Sequence, residues 1–327
     1  MHDGLKNLDA FLAKYDKFII STHESPDADG LGAEIAFSEL LGNLGKTSVV
    51  LNSDFTPDRF QFIDVDNEVK VINVNFEVPN DIAEYALIVI DTNDINNIGK
   101  AYIFLKDKIK KMFVIDHHEG DKTEYSSSYI RVDASSSCEI IFSIVRHYSH
   151  EISQKAAQAL FAGALFDTGS FRYPKTSSAT FKMAADLVER GANPFQIYDY
   201  IYESNSLASF ELRTQMLNTM KVFFNGSLVM MKMTGAMLLK TGAPYDEGEL
   251  NINVPLTVKG VVVSVLVKED TNGLVKVSMR SKGDYDVAKI AIENGGGGHK
   301  NAAGYKSKLK FDNAYKKAFE DVSRLFQ

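Results

Sequence analysis

The chain has 327 residues, 45% of them hydrophobic and 24% charged, with a formal net charge of −7. That length exceeds what one hydrophobic core usually serves, so two domains are expected, and the mix excludes a disordered, collagenous or disulfide-stapled protein. A single cysteine, Cys138, rules out an internal disulfide and a thiolate metal site, and no apolar run reaches the roughly 18 residues of a membrane span. The acidic balance disfavours a footprint on long duplex DNA, although metal ions could still supply positive charge locally for a small anionic substrate. Residues 1–17 lack a signal-type apolar core, so a cytoplasmic protein without membrane contact is expected.

In the first half, short apolar runs alternate with amphipathic stretches, the pattern of a parallel sheet flanked by helices. Phe18-Ile19-Ile20-Ser21 predicts a strand, and residues 31–44 a helix stopped by Gly45. Strands are expected at 48–51 and 69–72. The runs 86–90 and 112–115 are apolar without alternation, so both their faces should be buried. Helical spacing follows over 138–148 and 153–166. Gly191 then suits a helix C-terminus, and Asn193-Pro194 a helix start. From about residue 212 strands are expected at 228–233, 260–268 and 274–280, the last two joined at Asn272-Gly273. A helix, a glycine run and a final helix over 313–326 complete the chain. The fold class is therefore α/β: a parallel-sheet domain over 1–186, a helical linker over 187–211 and a smaller α/β domain over 212–327.

Three carboxylates stand at the polar ends of apolar runs: Asp91 after Val89-Ile90, Asp116 before His117-His118, and Asp167 after Leu165-Phe166. A fourth cluster, His23-Glu24-Ser25-Pro26-Asp27-Ala28-Asp29, follows the first strand. Open parallel sheets bind ligands beyond the carboxyl ends of their strands, so Asp27, Asp29, Asp91, Asp116 and His117 should share one rim. Asp167 needs tertiary folding to join them. Taken alone, any one of these aspartates reads more readily as a turn or helix-cap residue than as a ligand. Their joint occurrence points instead to hard divalent cations, because oxygen ligands with a few imidazoles suit Mg or Mn better than zinc. Four carboxylates and two imidazoles nearly balance two such ions, the inventory of a two-metal phosphoryl-transfer site.

The run Gly295-Gly296-Gly297-Gly298-His299-Lys300-Asn301-Ala302-Ala303-Gly304 is either a flexible loop or an anion contact. Its small residues could open a helix whose N-terminus favours phosphate. Arg280, at the end of a predicted strand, is a candidate cation beside it. Cys138 has no adjacent general base and reads as structural, and Met230, Met231, Met233 and Met237 read as core filler.

Asp116-His117-His118 resembles the signature of the DHH phosphoesterases, and His23-x-x-Pro26-Asp27-x-Asp29, Asp91-Thr92 and Asp167-Thr168-Gly169 resemble the family's other motifs in order. Gly296-Gly297-Gly298-His299 with Ala302-Ala303-Gly304 is similar to the DHH-associated domain. The compact length resembles the nanoRNase branch, which hydrolyses short oligoribonucleotides and dephosphorylates 3'-phosphoadenosine-5'-phosphate. Glu24-Ser25 before Pro26 departs from the asparagine common there but touches no expected ligand.

The resemblance implies two Mn ions, with Mg or Co as substitutes. His23, Asp27 and Asp91 would hold one, and Asp29, Asp91, His117 and Asp167 the other, with Asp91 bridging. Asp116 would orient a metal-bound imidazole, and His118 would contact the scissile phosphate. Arg280, Gly297, Gly298 and His299 would bind the rest of a short oligonucleotide or nucleotide phosphate. A homodimer is compatible with this reading. The alternatives are a cyclic di-AMP or linear dinucleotide phosphodiesterase and, from another class, a non-catalytic nucleotide-binding regulator. A RecJ-type exonuclease of long strands fits the acidic balance poorly.

Overall fold

Apolar runs that do not alternate need cover on both faces, and the first sheet receives it. The structure, a computed structural model, describes residues 3–119 and 127–327, which divide into two units, 1–204 and 205–327. In the first unit β1 (Lys17–Ser21), β2 (Thr47–Asn52), β3 (Lys70–Val71), β4 (Ala86–Ile90), β5 (Met112–Asp116) and β6 (Ser128–Ile130) form a parallel sheet. The strand order is β3-β2-β1-β4-β5-β6.

The helices of this unit are α1 (Asp3–Lys14), α2 (Ala28–Asn43), α3 (Lys100–Leu105), α4 (Ser137–His147), α5 (Gln154–Asp167), α6 (Ser178–Glu189) and α7 (Pro194–Tyr198). Phe18, Ile20, Ile88, Ile90, Phe113 and Ile115 face a core shared with α1, α2, α4 and α5. The alternate residues Ile19, Leu87, Val89 and Val114 face a second core with Ala101 and Leu105 of α3. That two-sided burial explains why β4 shows no polar alternation. β6, α3 and α1 escape the sequence reading: the first two are too short to show a period, and α1 carries only Leu8, Phe11 and Leu12 as its buried stripe.

The stretch 187–211 contains the end of α6, α7, a single π-turn over Asp199–Glu203 and the start of α8 (Leu207–Leu217). Gly191 takes φ +97 after α6. The Asn193 side chain accepts the Gln196 N–H at 3.3 Å and caps α7.

The second unit has a mixed sheet of β7 (Lys221–Phe223), β8 (Leu228–Met233), β9 (Val263–Glu269), β10 (Val275–Ser281), β11 (Gly297–His299) and β12 (Ala302–Ser307), in order β11-β12-β10-β9-β8-β7. α8, α9 (Gly235–Thr241) and α10 (Glu247–Asn251) lie on one side with Met231, Met233 and Leu266. α11 (Val287–Glu293) and α12 (Phe311–Ser323) cover Met230, Val265, Val277 and Tyr305 on the other. Among the described residues no helix is long and apolar enough to cross a membrane.

The glycine run corrects one expectation. Ala302-Ala303-Gly304 opens a strand and not a helix: β11 and β12 form an antiparallel hairpin turning at Lys300-Asn301. The physical signal is the period of two, which buries Ala303 and Tyr305 and leaves Ala302 and Gly304 on the opposite face. Gly298 takes φ +134, and a Cβ there would collide with the Ala302 carbonyl, so the turn back into β12 requires glycine.

Candidate metal centre

Strands β1 and β4 are neighbours, yet the chain leaves them towards opposite edges of the sheet, which opens a crevice at their carboxyl ends. His23 follows β1, Asp91 follows β4, and Asp116 ends β5 with His117 and His118 next. Asp27 caps α2, its carboxylate accepting the N–H groups of Asp29 at 2.9 Å and Gly30 at 3.2 Å. Asp167 is the last residue of α5. A Cβ on Gly163 of α5 would strike the Cys138 sulfur and crowd Asp29, so glycine lets α5 approach closely enough to bring Asp167 in.

The six side chains divide into two sets around one carboxylate. Asp91 Oδ2 lies 3.6 Å from His23 Nε2, which is 3.9 Å from Asp27 Oδ2. Asp91 Oδ1 lies 3.5 Å from His117 Nε2, which is 3.7 Å from Asp29 Oδ2 and 3.3 Å from Asp167 Oδ2. Ligand atoms of His23, Asp27 and Asp91 fall within 4.8 Å of one another, as do those of Asp29, His117 and Asp167.

The electrostatics show that the cluster favours positive charge. Burial raises the Asp27 and Asp29 carboxyls above their ordinary range, and the Asp91 charge adds to it. Burial likewise lifts Asp167 to about 7. Burial opposes protonation of His23 and His117, yet contact with Asp91 and the surrounding carboxylates overrides it and raises each to about 10. Asp91 is buried too, but its two imidazole neighbours hold it below the ordinary carboxylate range. Such a group of acids is stable only with positive charge among them.

The donor atoms fit divalent cations. His23 Nδ1 donates to the Glu24 carbonyl at 2.8 Å, so in the neutral ring the lone pair is on Nε2, facing Asp27 and Asp91. His117 Nε2 is buried without a hydrogen-bond partner, ringed by three carboxylates. An orphaned imidazole nitrogen in that setting suits a metal ligand.

Asp116 behaves differently from expectation. Its Oδ1 accepts the His117 backbone N–H and His118 Nδ1, both at 2.8 Å, and does not reach the His117 ring. It therefore orients His118, whose side chain is 35% exposed, against 6% for His117. Burial opposes protonation of His118, but the Asp116 bond raises its pKa.

In the second unit, the strand register places Arg280, Ala302 and the His299 backbone in one row and Ser278, Gly304 and Gly297 in the next. The side chain of His299 lies outside the described residues. A Cβ on Gly297 would meet open space, so this floor is uncovered there. Arg280 lies within β10 and is half-buried, not at a solvated strand end. It stands 3.9 Å from Glu249, whose Oε1 accepts Ser278 Oγ at 2.8 Å and contacts Lys268 and Lys276 at 3.0 Å.

Lys268 is 1% exposed and Glu249 is its carboxylate partner, so breaking this pair should cost stability. Glu249→Gln is expected to destabilise the protein by about 3–5 kcal/mol, because it strands a buried ammonium. Adding Lys268→Met should recover part of that loss; denaturant unfolding of both variants checks it, and a wild-type midpoint for Glu249→Gln would sink it. Burial opposes ionisation of Glu249, but Lys268 and Lys276 outweigh it and bring the pKa to about 2. A carboxyl depressed on folding contributes stability above its unfolded pKa, so this part is lost as pH falls from about 4.5 towards 2.

Residues 17–164 match the DHH family N-terminal domain, and residues 236–327 match the DHHA1 domain. The chain belongs to the DHH family. As a DHH phosphoesterase it is a hydrolase. It is 28% identical over 311 residues to a Streptococcus mutans protein named probable bifunctional oligoribonuclease and PAP phosphatase NrnA, covering 93% of this chain and 94% of that one. It is 27% identical to the cyclic-di-AMP phosphodiesterase GdpP of Geobacillus thermodenitrificans, over 97% of this chain and 48% of that one. A crystal structure of an exopolyphosphatase-related protein from Bacteroides fragilis shares the fold, with a TM-score of 0.92 at 23% identity, covering 100% of this chain and 98% of that one.

One residue of this DHH centre escaped the sequence reading. Ser137 opens α4, and its hydroxyl donates to Asp91 Oδ1 at 2.9 Å. The Ser137 and Cys138 N–H groups donate to the two oxygens of Asp29 at 2.7 and 2.9 Å. The run Ser135-Ser136-Ser137 before a helical pattern is a visible capping signal, and Ser136 is indeed the cap. Nothing local says that the next serine grips two carboxylates from other elements.

Proposed function

We propose that this DHH protein is a Mn-dependent phosphoesterase that hydrolyses short oligoribonucleotides and 3'-phosphoadenosine-5'-phosphate. The observation that carries the reading is the division of six ligand side chains into two sets that share Asp91, one carboxylate oxygen turned to each. His23, Asp27 and Asp91 would hold one ion, and Asp29, Asp91, His117 and Asp167 the other; Mg or Co could substitute. Bound there, divalent cations would supply an activated water and charge neutralisation at the phosphate. His118, oriented by Asp116, would contact the scissile phosphate. Residues 1–186 form the catalytic part, 187–211 link, and 212–327 recognise the remainder of the substrate through Arg280, Gly297, Gly298 and His299.

The oligoribonuclease name of the Streptococcus mutans relative, whose match spans nearly the whole of both chains, supports this reading. A cyclic or linear dinucleotide phosphodiesterase is the second reading, favoured by the similar identity to GdpP. Both are tested by one panel: di- and trinucleotides, 3'-phosphoadenosine-5'-phosphate and cyclic di-AMP, with Mn and after chelation. Short RNA should turn over fastest, and chelation should stop it. Preference for cyclic di-AMP would favour the second reading, and no turnover of any substrate would favour a non-catalytic regulator.

A further inference from the structure

Ser137 stands where the two ligand sets meet. Its hydroxyl donates to Asp91 Oδ1, the oxygen turned towards His117, while its N–H and that of Cys138 hold Asp29 in a two-pronged grip. All these groups are buried, with Ser137 and Asp29 0% exposed and Asp91 2%. A carboxylate only accepts, so the Ser137 hydroxyl must be the donor, and its proton is committed to Asp91. Asp91 itself takes φ +65, a conformation that an ordinary strand end does not supply.

We infer that Ser137 is a positioning residue for the shared carboxylate, fixing the rotation of Asp91 so that each of its oxygens serves one cation. This rests on the two-cation reading above. The hydroxyl bond sets which oxygen faces His117, Asp29 and Asp167 and which faces His23 and Asp27. Without it the carboxylate can turn about its Cβ–Cγ bond, which moves both oxygens, so each set loses one oriented ligand. The set around His23 retains Asp27 and its own imidazole, whose orientation the Glu24 carbonyl fixes independently. The Asp29 grip uses backbone N–H groups and survives any substitution at 137 that keeps the helix. Loss of the hydroxyl therefore weakens cation binding through the shared carboxylate, whereas loss of a helix cap weakens the fold without regard to cations.

The test is calorimetric titration of Mn into the metal-stripped full chain. Ser137→Ala should bind Mn about 10- to 100-fold more weakly than the wild-type chain, the usual effect of removing a ligand's hydrogen-bond partner. Ser137→Val and Ser137→Thr have the same shape and differ only in the hydroxyl, so Thr should bind Mn more tightly than Val. Ser136→Ala removes the Oγ that accepts the Glu139 N–H; it should lower the melting temperature and leave both Mn affinities unchanged. Wild-type Mn binding by Ser137→Ala, or equal weakening in the Val and Thr variants, overturns the role of Ser137. A wild-type chain that binds no Mn defeats the two-cation reading instead.

Discussion

Asp91→Ala should reduce hydrolysis by at least about a hundredfold, the scale on which a central catalytic group is usually felt. The reason is geometric: among the site carboxylates, Asp91 contacts imidazoles of both sets, through Oδ2 to His23 and Oδ1 to His117. Removing it would damage both proposed cation positions, whereas removing Asp27 or Asp167 would damage one. Alanine carries a second liability, because residue 91 sits at φ +65, where a Cβ without a local hydrogen bond is strained. Asp91→Asn separates the two effects, since asparagine tolerates that conformation and keeps the shape while losing the charge. Both variants should be inactive, and Asn should melt closer to wild type. Turnover of a dinucleotide with Mn, with thermal melts alongside, checks this. Retention of more than about a tenth of wild-type activity by the Asn variant would end the bridging assignment, given the loss expected of such a group.

The site was readable to the extent that it is local. His23, Asp27, Asp29, Asp91, Asp116 and His117 lie within a few residues of a strand end or helix start, and the strands carry unbroken apolar signatures, so their gathering on one rim follows from sheet topology. Asp167 could be named only as a candidate, because it arrives on α5 through the close approach permitted at Gly163. Ser137 could not be assigned its role, since its partners Asp29 and Asp91 are 108 and 46 residues away. The Glu249–Lys268 pair was hidden for a similar reason: a lysine in a strand reads as solvated until a helix lays a carboxylate over it. The glycine run misled because four glycines carry no periodicity. The alternation that buries Ala303 and Tyr305 begins only after the turn.

His118→Ala should slow hydrolysis on the order of a hundredfold while the protein still binds two Mn ions, and His117→Ala should lose metal. The two rings are sequence neighbours with centroids 4.4 Å apart, yet their surroundings differ. His117 is buried and places Nε2 within 3.3–3.7 Å of Asp29, Asp91 and Asp167. His118 is the more exposed ring and gives Nδ1 to Asp116 at 2.8 Å, while Asp91 Oδ1 is 3.8 Å from that nitrogen. A cation drawing on His118 Nδ1 would have to displace the Asp116 bond, so the ring is better placed to present its other edge to a phosphate. Asp116→Asn then becomes informative: it should resemble a mild His118→Ala, lowering turnover with metal retained, because it weakens the hold on His118 without touching the His117 ring. Elemental Mn counts on the three variants, taken beside turnover of a dinucleotide, separate the roles. If His118→Ala loses as much metal as His117→Ala, both imidazoles are ligands, and the phosphate contact must come from another residue.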